Sequence, residues 1–70
     1  MLERLRELRN ENNYTVYFMA QKLGISTGGY SLIENGKRGL SYSTALQIAK
    51  IFNLEPDDIF LPKDFTKSKV

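Results

Sequence analysis

The chain has 70 residues, 41% hydrophobic and 26% charged, with a formal net charge of +2, a balance typical of one small folded domain. It contains no cysteine and no histidine, which excludes disulfides, thiolate or imidazole metal ligands and imidazole catalysis. The absence of cysteine is also typical of a reducing compartment, and we expect the cytoplasm. The longest apolar run, residues 16 to 20, is much shorter than the roughly 20 residues of a membrane span, and the start of the chain has no signal-peptide pattern.

The first two predicted helices are separated by an asparagine pair. Residues 2 to 12 predict a helix in which leucine recurs at every third position among charged side chains: Leu2, Leu5 and Leu8. A second helix is predicted over residues 16 to 23, because Thr15 can cap its first turn and Gly24 can adopt the positive φ that ends a helix.

Two further helices are predicted after Gly24. Ser26 can cap a third helix over residues 27 to 35, which the turn-forming pair Asn35-Gly36 ends. After a loop over residues 37 to 42, Ser43 is predicted to cap a fourth helix. The apolar residues of this helix have helical spacing: Ala45, Ile48, Ala49 and Phe52.

The end of the chain predicts a short fifth helix and a tail. Pro56 favours the first turn of a helix, and the adjacent Asp57 and Asp58 favour its positive end. Residues 61 to 70 include three lysines and form a tail after the domain of residues 1 to 60. The sequence therefore predicts an all-α, compact five-helix domain with a short C-terminal tail, its core completed by Ile59 and Phe60.

Residues 16 to 35 have the pattern of a helix-turn-helix, in which two short helices meet at a glycine-containing turn. Ala20 is the small residue expected where the helices cross, and Ile25 is expected to cover the turn made by Gly24. The remaining inward positions have the required spacing: Met19, Leu23, Tyr30 and Ile33. Similar corners occur in all-α proteins that bind no nucleic acid, so this motif alone leaves DNA binding open.

Neighbouring stretches extend the pattern: residues 23 to 26 read LGIS, 33 to 38 read IENGKR, and 48 to 50 read IAK. Together they resemble the phage-repressor family of helix-turn-helix proteins, of the Cro and lambda-repressor (XRE-like) type, over roughly 55 residues. The resemblance implies a transcriptional regulator that binds operator DNA as a dimer, with helix 3 in the major groove and the following loop on the phosphates.

The resemblance also implies three sets of functional residues. The base-reading set is Ser26, Thr27, Gly28, Gly29, Ser31 and Leu32. The phosphate-contacting set is Thr15, Asn35, Gly36, Lys37, Arg38 and Tyr42. A structural pair would join Arg9 of helix 1 to Glu34 at the end of helix 3, although the residues alone are equally consistent with exposed surface charges.

The predicted reading helix departs from the family pattern. Family members usually carry amide or basic side chains at several reading positions, whereas Gly28 and Gly29 have no side chain and Leu32 cannot hydrogen-bond. Val16 occupies a position where a phosphate-binding glutamine is common. Sequence preference would then depend on Thr27 and on DNA shape, with close approach of the helix backbone at the glycines.

Lys37 and Arg38 are the cations expected to contribute affinity, because they follow the reading helix in a stretch, residues 35 to 54, that has no acidic residue. The alternative is a solvated surface loop. The partners expected from the whole pattern are double-stranded DNA and a second copy of the chain, with no cofactor, no metal, no membrane and no evident small-molecule substrate.

A second function remains open, because the reading helix is poor in hydrogen-bonding side chains. The same scaffold could serve as an antitoxin-like or regulatory protein-interaction module with weak or no base readout. Tyr17 and Phe18, which occupy positions where polar residues are usual, would form either a partner surface or part of an enlarged core. The side of helices 4 and 5, together with tail residues such as Phe65, is the expected dimer contact. Enzymatic activity is not expected, since nothing supplies a nucleophile or a metal cage.

Overall fold

The structure is a computed structural model that describes residues 2–60, and this part of the chain is helical, without strands. Four α-helices follow one another: α1 (Glu3–Glu11), α2 (Val16–Leu23), α3 (Thr27–Glu34) and α4 (Tyr42–Ile51). A 3-10 helix, Pro56–Asp58, comes last. The all-α prediction is confirmed for these residues, while the tail at residues 61–70 and its share of the expected dimer contact, including Phe65, lie outside the described residues.

Short polar side chains begin three of the helices. Thr15 Oγ1 accepts a hydrogen bond from the amide of Phe18 at 2.9 Å, and Ser26 Oγ accepts one from Gly29 at 2.9 Å. Each bond satisfies an amide that the helix itself leaves unpaired. The helices end at residues with left-handed backbone, namely Asn13, Gly24, Gly36 and Asn53, whose φ angles are 59°, 70°, 77° and 62°. Local sequence therefore sets most of the helix boundaries.

Two predicted boundaries are wrong. The side chain that caps α4 belongs to Ser41, which accepts from Thr44 N at 3.2 Å, so Ser43 lies inside the first turn rather than before it. The expected fifth helix is only the three-residue 3-10 helix Pro56–Asp58. The amides of Ile59 and Phe60 both donate to Pro56 O, at 3.0 and 2.8 Å, which closes this single turn, and the two side chains are buried in the core.

The core lies where α2, α3 and α4 meet, with α1 packed across α3. Its largest fully buried side chains are Tyr30, Leu5, Met19, Leu40 and Ile48. The backbone amide of Leu2 donates to Glu34 O at 2.9 Å and thereby ties the start of α1 to the end of α3. Ile25, which was expected to cover the turn, is 37% exposed, and Phe52 is only partly buried.

Candidate nucleic-acid interface

The corner between α2 and α3 has the geometry that the helix-turn-helix pattern predicts. Gly24, at φ 70°, donates to the carbonyls of Ala20 and Gln21, and Ile25 N donates to Ala20 O at 3.0 Å. These bonds use the last carbonyls of α2 and turn the chain sharply into α3. Ala20 is 2% exposed, so α3 packs across α2 where that side chain is small.

The base-reading set divides by exposure. Thr27, Gly28 and Leu32 form an outward row on α3, and Leu32 is 39% exposed although it is apolar. Ser31 is half-buried, and its hydroxyl oxygen accepts from Asn35 Nδ2 at 3.2 Å. Ser26 is exposed, but its Oγ is engaged as the helix cap.

Gly29 does not belong to the outward row, because it is buried and Arg38 lies against it. A Cβ at position 29 would lie 3.0 Å from Arg38 Nη1 and 3.0 Å from Ser26 Oγ. The guanidinium of Arg38 therefore lies against the first turn of α3, in space that a side chain at position 29 would occupy. Gly28, by contrast, has no atom within 4 Å of the place where a Cβ would stand.

The loop after α3 is fixed to the helix by backbone bonds. Gly36, at φ 77°, donates to Ile33 O at 3.0 Å, and both Lys37 N and Arg38 N donate to Leu32 O, at 2.8 and 3.1 Å. This pattern closes the end of the helix. It also fixes the backbone of Lys37 and Arg38, both exposed, at the end of α3, instead of leaving it as a free loop.

Two members of the phosphate set lie on other elements. Thr15 is exposed at the start of α2, where its hydroxyl oxygen serves as the cap. Tyr42 is the first residue of α4 and is 60% exposed. Asn35 and Gly36 are exposed at the end of α3. The phosphate set therefore comes from the first turns of two helices and from the loop.

Arg9 and Glu34 meet as the resemblance implied. Arg9 Nε and Nη2 donate to the two carboxylate oxygens of Glu34, each at 2.9 Å, and Nη1 donates to Tyr14 O at 3.0 Å. The side chains are only 13% and 8% exposed. The hydrogen bond to Glu34 raises the pKa of Arg9 above its usual value. The pair thus joins α1 to the end of α3 as a charged clamp.

Tyr30 completes this network, which the sequence reasoning missed. Its hydroxyl donates to Glu34 Oε1 at 2.7 Å, and burial raises the pKa of Tyr30 above its usual value. Burial acting alone would raise the pKa of Glu34 as well. The hydrogen bonds from Arg9 and Tyr30 lower it by more than burial raises it, so the pKa of Glu34 lies below its usual value. The spacing of Tyr30 and Glu34, four residues apart on one helix, is the signal that could have indicated the contact.

A family model described as helix-turn-helix matches residues 5–59. The chain belongs to the helix-turn-helix family. Similar proteins of Methanocaldococcus jannaschii and Bacillus subtilis are named as HTH-type transcriptional regulators, so this helix-turn-helix family is one of DNA-binding regulators and not of enzymes. Within residues 2–60, no helix is long and apolar enough to cross a membrane, and no cluster of acidic side chains could hold a metal ion.

Three similar proteins illustrate the range of the family. An uncharacterized HTH-type transcriptional regulator of Methanocaldococcus jannaschii is 38% identical over 64 residues, covering 91% of this chain and 97% of its own. A putative HTH-type transcriptional regulatory protein of Thermococcus kodakarensis is 39% identical over 64 residues, covering 87% of this chain and 20% of its own. The HTH-type transcriptional repressor RghR of Bacillus subtilis is 53% identical over 38 residues, covering 54% of this chain and 28% of its own.

The chain therefore corresponds to nearly the whole Methanocaldococcus protein but to only about a fifth of the Thermococcus protein. No solved structure matches the chain significantly.

Proposed function

We propose that the chain is a sequence-specific regulator that binds duplex DNA with α3 in the major groove and with Lys37 and Arg38 on the phosphates. One observation carries this proposal: the outward row of Thr27, Gly28 and Leu32 is exposed, and backbone hydrogen bonds to Leu32 O hold the residues that carry the two cations at the end of the same helix. Cations at that position neutralise phosphates while the helix approaches the bases.

Base recognition would be mainly apolar. Leu32 and the methyl group of Thr27 can contact the C5-methyl group of thymine, which is the apolar feature of the major-groove edge. Gly28 has open space around it, so the backbone of α3 can approach the groove floor more closely than a side chain would permit. DNA shape and deformability at uncontacted base pairs would add further preference.

We further propose that the protein acts as a repressor of the phage type and binds its operator as a homodimer. Support for the dimer comes from α4, on which Leu46 is apolar and 36% exposed. Molecular mass measured against protein concentration tests this point separately from DNA binding. A mass that stays at one chain up to millimolar concentration, with and without DNA, would reject the dimer.

The central experiment is selection of bound duplexes from a random library, followed by replacement of thymine with uracil at the selected positions. Each lost thymine methyl contact should weaken binding about fourfold, since burying a methyl group is worth about 0.8 kcal/mol. Leu32→Ala should bind more weakly and should no longer distinguish uracil from thymine at the position that Leu32 contacts. Arg4→Gln, which removes an exposed cation on α1, is the control. A selection that yields no preferred sequence contradicts sequence-specific recognition.

A protein-interaction module with little base readout is the second candidate, and the exposure of Tyr17 favours it. Tyr17 is 60% exposed on α2, outside the core and outside the outward row of α3. A mobility shift with non-specific duplex at low salt separates the two functions. Binding is expected for the DNA regulator, and its absence would leave the interaction module as the better account.

A further inference from the structure

A groove runs between α2 and α4, and none of the residues proposed to contact DNA lines its larger crevice. One crevice of about 490 Å³ is lined by Tyr14, Phe18, Lys22, Gln47, Lys50 and Ile51. A second crevice of about 290 Å³ lies beside it and is lined by Leu23, Ile25, Ile33, Arg38, Gly39, Thr44 and Gln47. Gln47 lines both, so the two crevices are neighbours on the surface.

The floor of the larger crevice is apolar and aromatic. The rings of Tyr14 and Phe18 lie 4.3 Å apart between centroids and are tilted by 34°. Ile51 also lines the crevice. All three side chains are only partly buried by the chain itself. A groove of this kind can accept one apolar side chain from a bound segment, as helix-in-groove complexes do.

The rims of the groove are cationic. Lys22 and Lys50 are both exposed, and Lys22 Nζ lies 5.5 Å from the centroid of the Phe18 ring. Among the described residues, no carboxylate lines either crevice. An occupant that places carboxylates beside an apolar anchor would match this arrangement, whereas a basic occupant would meet unpaired positive charge.

Neither the tail of this chain nor a second copy has that chemistry in a suitable form. Residues 61 to 70 carry three lysines and one aspartate, so their charge has the wrong sign. Within residues 2–60, the elements with exposed carboxylates, α1 and the 3-10 helix, carry no large exposed apolar side chain. The open shape also favours a protein segment over a small molecule, which pockets usually enclose.

We propose that the groove between α2 and α4 docks an acidic segment of a different protein, with one apolar side chain on the Tyr14–Phe18–Ile51 floor and carboxylates beside Lys22 and Lys50. The larger crevice, where this segment would bind, contains none of the residues that the DNA proposal uses, whereas Arg38, which it does use, lines the second crevice. The regulator would then hold DNA and a partner protein through separate surfaces.

The test begins with selection of a random peptide library displayed on phage against the full chain. The selected peptides should share one leucine, phenylalanine or tryptophan flanked by aspartate or glutamate. Fluorescence anisotropy with a labelled selected peptide then compares Lys22→Gln and Lys50→Gln with the matched control Arg4→Gln, which removes one exposed cation from α1. Each groove variant should weaken peptide binding about three- to fivefold, as the loss of one exposed ion pair would, and the control should stay within about twofold of the parent chain.

Binding to DNA is measured on the same proteins, so that failure of the docking proposal can be distinguished from failure of the DNA-binding proposal. Lys22→Gln and Lys50→Gln should bind duplex DNA as Arg4→Gln does, while Lys37→Gln should weaken DNA binding and leave peptide binding unchanged. The docking proposal is overturned if the library yields no convergent or only basic peptides, or if Arg4→Gln weakens peptide binding as much as the groove variants. Self-association of the chain that disappears in Lys22→Gln would also overturn it, because the occupant would then be a second copy.

Discussion

Replacing Arg9 by alanine should destabilise the fold strongly, because the clamp between α1 and α3 is largely buried. The substitution removes two hydrogen bonds of 2.9 Å to Glu34 and one of 3.0 Å to Tyr14 O, and it leaves a carboxylate that is 8% exposed without its guanidinium partner, although the hydroxyl of Tyr30 and the charge of Arg6 still act on it. Loss of one partner of a buried ion pair costs about 3 to 5 kcal/mol. We expect about 3 kcal/mol, since both side chains retain some exposure.

That loss is large for a chain of this size. At about 0.05 to 0.15 kcal/mol per residue, a 70-residue domain has a free energy of unfolding of about 4 to 10 kcal/mol. A loss of about 3 kcal/mol should lower the melting temperature by about 12 to 24 °C. Urea unfolding followed by circular dichroism measures the loss in free energy of unfolding. Arg4→Ala is the control, because the ion pair of Arg4 with Glu7 is exposed and 3.7 Å long. Equal costs for the two variants would refute the clamp.

The same clamp predicts a dependence of stability on pH. The folded-state pKa of Glu34 lies below its usual value, so the folded protein holds the charged carboxylate more tightly than the unfolded chain does. The contribution is therefore fully present above the unfolded pKa of about 4.3 and is lost as the pH falls through the folded value. Glu34→Gln should be less stable at neutral pH and should lose less stability on acidification. An unchanged acid profile in Glu34→Gln would contradict the assignment.

Two further predictions concern helix starts and are checked by thermal unfolding. Gly28→Ala should stabilise the free fold by about 0.5 to 1 kcal/mol, because its Cβ would meet open space, whereas Gly29→Ala should gain less because its Cβ would crowd the capping hydroxyl at 3.0 Å. Equal gains would show that the crowding relaxes without cost. Ser41→Ala should cost about 1 kcal/mol through loss of the cap of α4, and Ser43→Ala should be nearly neutral. The opposite order would contradict the cap at Ser41.

Most of the fold could be predicted from the sequence because helix starts and ends have local chemical signatures. The error at α4 shows the limit of that reasoning, since Ser41 and Ser43 are both able to cap. Two buried residues favour Ser41 over Ser43 as the cap. Leu40 stands immediately before Ser41, and Ala45 stands four residues after it. An apolar pair at those two positions is typical of a helix start. The sequence pattern placed Leu40 in a loop and therefore did not predict that it is buried.

The candidate interface was predictable where it follows from one helix and less so where distant residues meet. Outward exposure of Thr27, Gly28 and Leu32 follows from helical spacing. The contact of Arg38 with Gly29 joins residues nine positions apart and depends on the path of the loop. Likewise, the groove rimmed by Lys22 and Lys50 exists only because α2 and α4 pack together.

The salt dependence of DNA affinity tests the central claim most directly, because it counts the phosphates that the protein neutralises. A dimer that contacts about 6 phosphates should show log affinity falling with log salt at a slope of about −5. If Lys37 and Arg38 of each subunit account for four of these contacts, Lys37→Gln with Arg38→Gln should reduce the slope to about −2, and Arg4→Gln should leave it unchanged. Affinity that does not vary with salt, or a slope that the double substitution does not alter, would contradict the placement of α3 and its two cations on DNA.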